Sequence, residues 1–242
     1  MGFTLDKIVP WGRSYEEYVN MFGLSELDLQ WCILGCGDGP AAFNAVLTRQ
    51  GGRVVSCDPI YAFDAAQIRG RISETYETVM AQMRKHRDDY VWGTISSVEE
   101  LGQIRLAAME TFLRDYDAGV REGRYIAGEL PSLPFECGQF DIALSSHFLF
   151  LYSDHLSAGF HLRAIREMLR VAREVRVFPV LTLDGMTSPH LDIVTRHFAD
   201  GGFSVDLLNV PYEFQRHGNR MLRISTGARG AARFNSASGR KS

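Results

Sequence analysis

Five residues, Gly35-Cys36-Gly37-Asp38-Gly39, constrain this chain more than any others. They follow a short apolar run, Gln30-Trp31-Cys32-Ile33-Leu34, which reads as a buried strand. They precede Pro40, a residue suited to the first position of a helix. Gly51-Gly52 closes that helix, and Arg53 to Cys57 (RVVSC) reads as a second buried strand, ended by Asp58-Pro59. Strand, glycine turn, helix and strand make a βαβ unit with parallel strands and a right-handed crossover. Glycine at such a turn lets the backbone take φ > 0 and lets a ligand approach the main chain. The helix start behind it offers free N–H groups. Asp58 stands 23 residues beyond Gly35, where an acid at the end of the second strand accepts both hydroxyls of a ribose.

The strand rhythm continues at Arg124 to Ala127, Phe140 to Ser145, Glu174 to Val180, Ser204 to Val210 and Met221 to Ser225, making seven strands. A helix is predicted between the fourth and fifth strands, from about Leu156 to Val171. Another starts at Ser188-Pro189 and ends near Gly201-Gly202. A capping box, Ser14-Tyr15-Glu16-Glu17, starts an N-terminal helix over 13–22. Residues 62–122 are polar and helical, with a second capping-box pattern at Ser97-Val98-Glu99-Glu100, and are far longer than a plain crossover needs. They predict two or three inserted helices forming a cap. The expectation is one domain over 1–225, followed by a disordered basic tail over 226–242 that is rich in Gly, Ala and Ser.

Composition limits the function. A net charge of −3 over 242 residues gives no support to nucleic-acid binding. No apolar run approaches the roughly 18 residues of a membrane helix, and no secretory leader is evident. Cys32, Cys36, Cys57 and Cys137 form no CxxC pair, and neither Cys nor His stands at metal-ligand spacing. These features predict a cytoplasmic protein with reduced cysteines and no metal.

The third glycine of a dinucleotide fingerprint would fall at position 40, which is Pro; the glycines stand instead as G-x-G-x-G. In this the turn resembles motif I of the class I S-adenosylmethionine-dependent methyltransferases. The segment Gly128-Glu129-Leu130-Pro131-Ser132-Leu133-Pro134-Phe135, followed by Gln139-Phe140-Asp141, is similar to that family's acidic loop and the strand after it. The resemblance implies a three-layer Rossmann-like sandwich with a seven-stranded, mostly parallel sheet, its last strand antiparallel and a helical insertion after the second strand. It implies S-adenosylmethionine as cofactor, with Glu129 and Leu130 on the adenine. Ser145, Ser146 and His147 fall where the fourth strand meets the methionine part. The full candidate cofactor set is Gly35, Cys36, Gly37, Asp38, Gly39, Asp58, Pro59, Glu129, Leu130, Ser145 and Ser146. Two departures stand out. The family often has an acid two residues before the first glycine, where this chain has Ile33, so that Asp38 or backbone carbonyls must serve. The Pro-Gly-Gly turn before the fifth strand is also missing.

Methyl transfer needs alignment and exclusion of water more than catalytic groups, and a base only when the acceptor loses a proton. His147 is the candidate base, with a structural histidine beside the cofactor as the alternative. Tyr152 and His155 either line an acceptor pocket or start a helix. Trp11, Arg13 and Tyr15 either fold over the cofactor or pack an N-terminal helix. Tyr212-Glu213-Phe214-Gln215-Arg216-His217 carries many functional groups for a hairpin, and a solvated hairpin is the plainer reading. Phe148 to Tyr152 reads as core, with a pocket lining as the alternative, and Arg84 to Asp89 as a solvated helix end. The expected activity is methyl transfer to a small molecule enclosed by the cap, in a monomer or dimer. A non-catalytic S-adenosylmethionine-binding protein is the alternative, and an NAD(P)-dependent reductase a weaker one, against which Pro40 counts.

Overall fold

The computed structural model describes residues 10–226. Among these residues seven strands form one sheet: β1 Cys32–Cys36, β2 Arg53–Cys57, β3 Tyr125–Ile126, β4 Phe140–Ser146, β5 Ala172–Phe178, β6 Ser204–Asn209 and β7 Arg220–Ser225. Their order across the sheet is β3-β2-β1-β4-β5-β7-β6. β3, β2, β1, β4 and β5 run parallel, and β7 is antiparallel to both β5 and β6. This is the Rossmann-like sheet expected from the resemblance, including its reversed last strand.

The central strands are apolar throughout because helices cover both faces. Ile33, Ile142 and Leu144 pack beneath α1 (Tyr15–Phe22) and α2 (Phe43–Arg49). Leu34, Ala143 and Val175 face α5 (Ala158–Val171) and α6 (Leu191–Asp200) on the other side. The alternation of neighbouring residues between the two layers follows from the strand period of two.

The insertion contains two long helices, α3 (Ala65–Lys85) and α4 (Val98–Arg121), joined by a stretch with one 3-10 turn at Arg87–Asp89. Phe112 and Tyr116 of α4 pack against Tyr61 and Tyr125. A Cβ on Gly119 would lie 2.3 Å from the Tyr125 ring, so the backbone of this helix lies directly against a side chain of β3. The second half of α4 therefore serves as the β2–β3 crossover, and α3 with the turn after it is the added part.

Local signals misplaced several ends. α2 begins at Phe43 rather than Pro40: the chain bends at Pro40 and Ala42, and Ala42 donates its N–H to the Arg13 carbonyl at 2.9 Å. α6 begins at Leu191; Ser188 caps the bend before it, its Oγ accepting from the His190 N–H at 3.2 Å. α5 begins at Ala158 behind the cap Ser157, and β5 follows it directly at Ala172. Ser14 and Glu17 form the full reciprocal box that opens α1. At α4 only Ser97 completes its half, since the Glu100 carboxylate turns to Ser96. The predicted tail lies outside the described residues except for Thr226.

Candidate functional site

The C-terminal ends of β1, β2 and β4 open into a cavity of about 1150 Å³. That exceeds the usual range for one small ligand, about 300–1,000 Å³. Its floor is the glycine turn. Gly37 and Gly39 have φ of +70° and +54°, the left-handed region that L side chains avoid. A Cβ on Gly39 would meet nothing within 4 Å, which leaves open space above the backbone there.

The turn is held by its neighbours rather than left with free amides. The Gly37 N–H donates to the Cys57 carbonyl at 2.9 Å. The Gly39 N–H donates to Asp58 Oδ2 at 2.8 Å, and the Gly39 carbonyl accepts from Tyr61 Oη at 2.7 Å. Asp58 also accepts from the Ile60 N–H at 2.8 Å. The amides of Gly37, Gly39 and Ala42 are thus taken by protein acceptors. A carboxylate has about four acceptor positions, so Asp58 keeps capacity for two hydroxyls. Burial raises its pKa, against the pull of the Ile60 and Gly39 amides.

Asp38 is almost fully buried at the cavity wall. Its Oδ1 accepts from Tyr18 Oη at 2.9 Å and its Oδ2 from Ser56 Oγ at 2.7 Å. Burial pushes its carboxyl up to about 6, although both hydroxyls favour the charged form.

Glu129, Leu130, Pro59 and Ser146 also line the cavity. The side chains of Cys36 and Ser145 instead point into the core, fully buried, and neither residue nor Gly35 lines the cavity. His147 does line it. Its φ is +52°, a strained value for a non-glycine residue. The turn is fixed by its N–H donating to the Phe178 carbonyl at 2.7 Å, and Nδ1 lies 2.9 Å from Ser146 Oγ. Burial, with Arg13 and Arg105 nearby, holds its pKa well below the ordinary value, so the ring is neutral at neutral pH. Trp11, Arg13 and Tyr152 line the same cavity, whereas Tyr15 stacks on Phe43 and His155 lies off the wall.

The hairpin residues split by side. Glu213, Arg216 and His217 are exposed, while Tyr212, Phe214 and Gln215 turn inward. Tyr212 Oη donates to Glu17 Oε1 at 2.8 Å. Phe214 stacks on Tyr90 with ring centroids 4.8 Å apart. The Val91 N–H donates to the Phe214 carbonyl at 2.7 Å, and the Arg216 N–H to the Asp89 carbonyl at 3.0 Å. The hairpin is therefore a latch that ties the α3–α4 turn down beside the cavity, which corrects the solvated reading for Tyr212, Phe214 and Gln215; Arg84, Lys85, Arg87, Asp88 and Asp89 are exposed where α3 ends, as expected.

Sequence reasoning missed Arg105, which is fully buried and paired with the Glu17 carboxylate. A signal existed: Leu101, Arg105, Met109 and Phe112 follow one another at helical spacing on the buried face of α4. Tyr18, Ser56 and Tyr61, which position Asp38 and Gly39, carried no comparable signal. Among the described residues, no cluster of His, Cys, Asp or Glu could hold a metal ion. Nor is any described helix long and apolar enough to cross a membrane.

No protein-family model matches the chain. Over 214 residues it is 31% identical to the uncharacterized protein MJ0045 of Methanocaldococcus jannaschii, spanning 88% of this chain and 94% of that one. The chain belongs to that protein's family. Its sheet order and reversed β7 make a methyltransferase-like α/β fold. Solved structures similar to it include the magnesium protoporphyrin IX methyltransferase of Synechocystis with bound S-adenosylmethionine (12% identity, 87% of this chain, 77% of that one, TM-score 0.46). Another is an S-adenosylmethionine-dependent methyltransferase from Aquifex aeolicus (14% identity, 87% of each chain, TM-score 0.42).

Proposed function

We propose that this protein is an S-adenosylmethionine-dependent methyltransferase acting on a small molecule in the cytoplasm. The observation that carries the reading is one cavity walled by the glycine turn, Asp58, Glu129-Leu130 and His147 together. Asp58 would hold the ribose hydroxyls, and Glu129 with Leu130 the adenine. The backbone at Gly37 and Gly39, with Asp38, would hold the methionine end. Asp38 stands in for the acid that Ile33 replaces. When bound, the cofactor supplies a methyl group on a positively charged sulfur.

The chain's own residues align and enclose. The cap and its latch shield one side of the cavity from water, which favours an acceptor small enough to enter. His147 is neutral, so its ring is able to take a proton from an acceptor O–H or N–H as the methyl group is received. An acceptor that needs no deprotonation would use the ring only for positioning.

Calorimetry with S-adenosylmethionine and S-adenosylhomocysteine tests the cofactor. Dissociation constants on the order of micromolar to sub-millimolar are expected, and no heat with either ligand overturns the assignment. Incubation with methyl-labelled cofactor and a metabolite extract tests the activity. Label should move to a small-molecule product. Binding without transfer would make the chain a binding protein instead.

A further inference from the structure

Two arginines, Arg13 before α1 and Arg105 on α4, line the cavity on the side of His147. The Arg105 side chain is 1% exposed. Glu17 pairs with Arg105 and acts on Arg13 as well, so two guanidinium groups share this carboxylate. Arg13 Nη1 donates to the Trp11 carbonyl at 2.5 Å, a neutral partner. The Nε–H groups of both arginines are buried and unpartnered among the described residues. Buried donors are nearly always satisfied, and a buried cation without a counter-charge is costly. Arg105 disfavours the charge on Arg13, as burial does more strongly. The neighbouring tyrosine Tyr212 is held protonated by burial and Glu17, and His147 is neutral, so neither supplies the missing negative charge.

We propose that Arg13, backed by Arg105, is a carboxylate-binding site inside the cavity. The inference rests on the methyltransferase reading for the identity of its ligand, though not for the site's existence. A planar guanidinium matches a carboxylate with paired hydrogen bonds. The walls nearby include Trp11, Tyr90, Leu183 and Phe214. Such surroundings suit a singly charged carboxylate better than a doubly charged phosphate, because desolvation cost rises with charge. The carboxylate has two sources: the amino-acid end of the cofactor, or an acceptor that carries an acid on an apolar body.

Calorimetry on the wild type, Arg13→Gln and Arg13→Lys separates them, with circular dichroism checking that each variant is folded. The probes are S-adenosylhomocysteine, 5′-methylthioadenosine, which shares the nucleoside but lacks the amino acid, and octanoate. If the cofactor fills the site, R13Q weakens S-adenosylhomocysteine about 10- to 100-fold and leaves 5′-methylthioadenosine within about twofold. If an acceptor fills it, S-adenosylhomocysteine is unaffected, while octanoate binds the S-adenosylhomocysteine-saturated wild type and not R13Q. In either case R13K keeps part of the affinity through its charge. Equal affinities of wild type and R13Q for both acids overturn the proposal, as does equal weakening of S-adenosylhomocysteine and 5′-methylthioadenosine. If neither nucleoside binds any of the proteins, the cofactor reading fails, and octanoate on the ligand-free proteins still decides the site.

Discussion

The Asp38 carboxylate folds back over Gly35 so closely that a Cβ built on Gly35 would lie 1.7 Å from Asp38 Oδ2. The first glycine of the turn is thus required by a side chain three residues later, not by a ligand. Its small size lets a buried acid reach Tyr18 and Ser56.

Gly35→Ala should therefore act through Asp38. The carboxylate must leave its two hydroxyl partners, at a cost on the order of 1–3 kcal/mol of stability. S-adenosylhomocysteine affinity should fall in the same variant. A denaturant melt with unchanged midpoint would refute this coupling.

Asp38 also predicts a pH dependence. Its pKa is raised from 3.8 to about 6, so the fold disfavours its charged form. The sign follows: this group lowers stability progressively as pH rises from about 4 to about 6, and Asp38→Asn should remove that slope. If the charged carboxylate holds the cofactor's ammonium group, wild-type affinity should rise as pH passes upward through about 6. The affinity of Asp38→Asn should stay flat there. Titrations at four or five pH values check both.

Glu17 has the opposite sign. Arg105 and Arg13 lower its pKa from 4.5 to about 2 in spite of burial. Its contribution, on the order of 3 kcal/mol, is fully present above the unfolded value of 4.5 and is lost as pH falls toward about 2. Glu17→Gln leaves Arg105 buried without its counter-charge and should cost about 3–5 kcal/mol at neutral pH. The difference from wild type should shrink below pH 4.5, as measured by urea melts.

Phe214→Ala should loosen the latch. The variant loses its stacking on Tyr90 and its edge contact with Trp92, about 1–3 kcal/mol. Hydrogen exchange should quicken at Val91, whose N–H bonds to the Phe214 carbonyl, and remain unchanged in β1 and β4. Unchanged exchange at Val91 would show that the hairpin does not secure the cap.

The amino-acid order alone determined the seven strands, the glycine turn and the acid after β2. These depend on local properties: apolar runs, glycine freedom and residue spacing. Element ends were less legible. Pro40 satisfies the local preference of a helix start, yet the helix waits for Phe43 because the segment before α1 packs against this stretch: a Cβ on Gly12 would lie 2.1 Å from the Pro40 carbonyl oxygen. The hairpin 212–217 looked solvated because half of its groups are; only its contact with the α3–α4 turn decided which half is buried. Tertiary structure likewise decided that Asp38 lies over Gly35 and that Glu17 meets Arg105, 88 residues away. Such pairings join groups whose individual sequence contexts are ordinary. Their chemistry arises from shared burial, which depends on where distant parts of the chain come together.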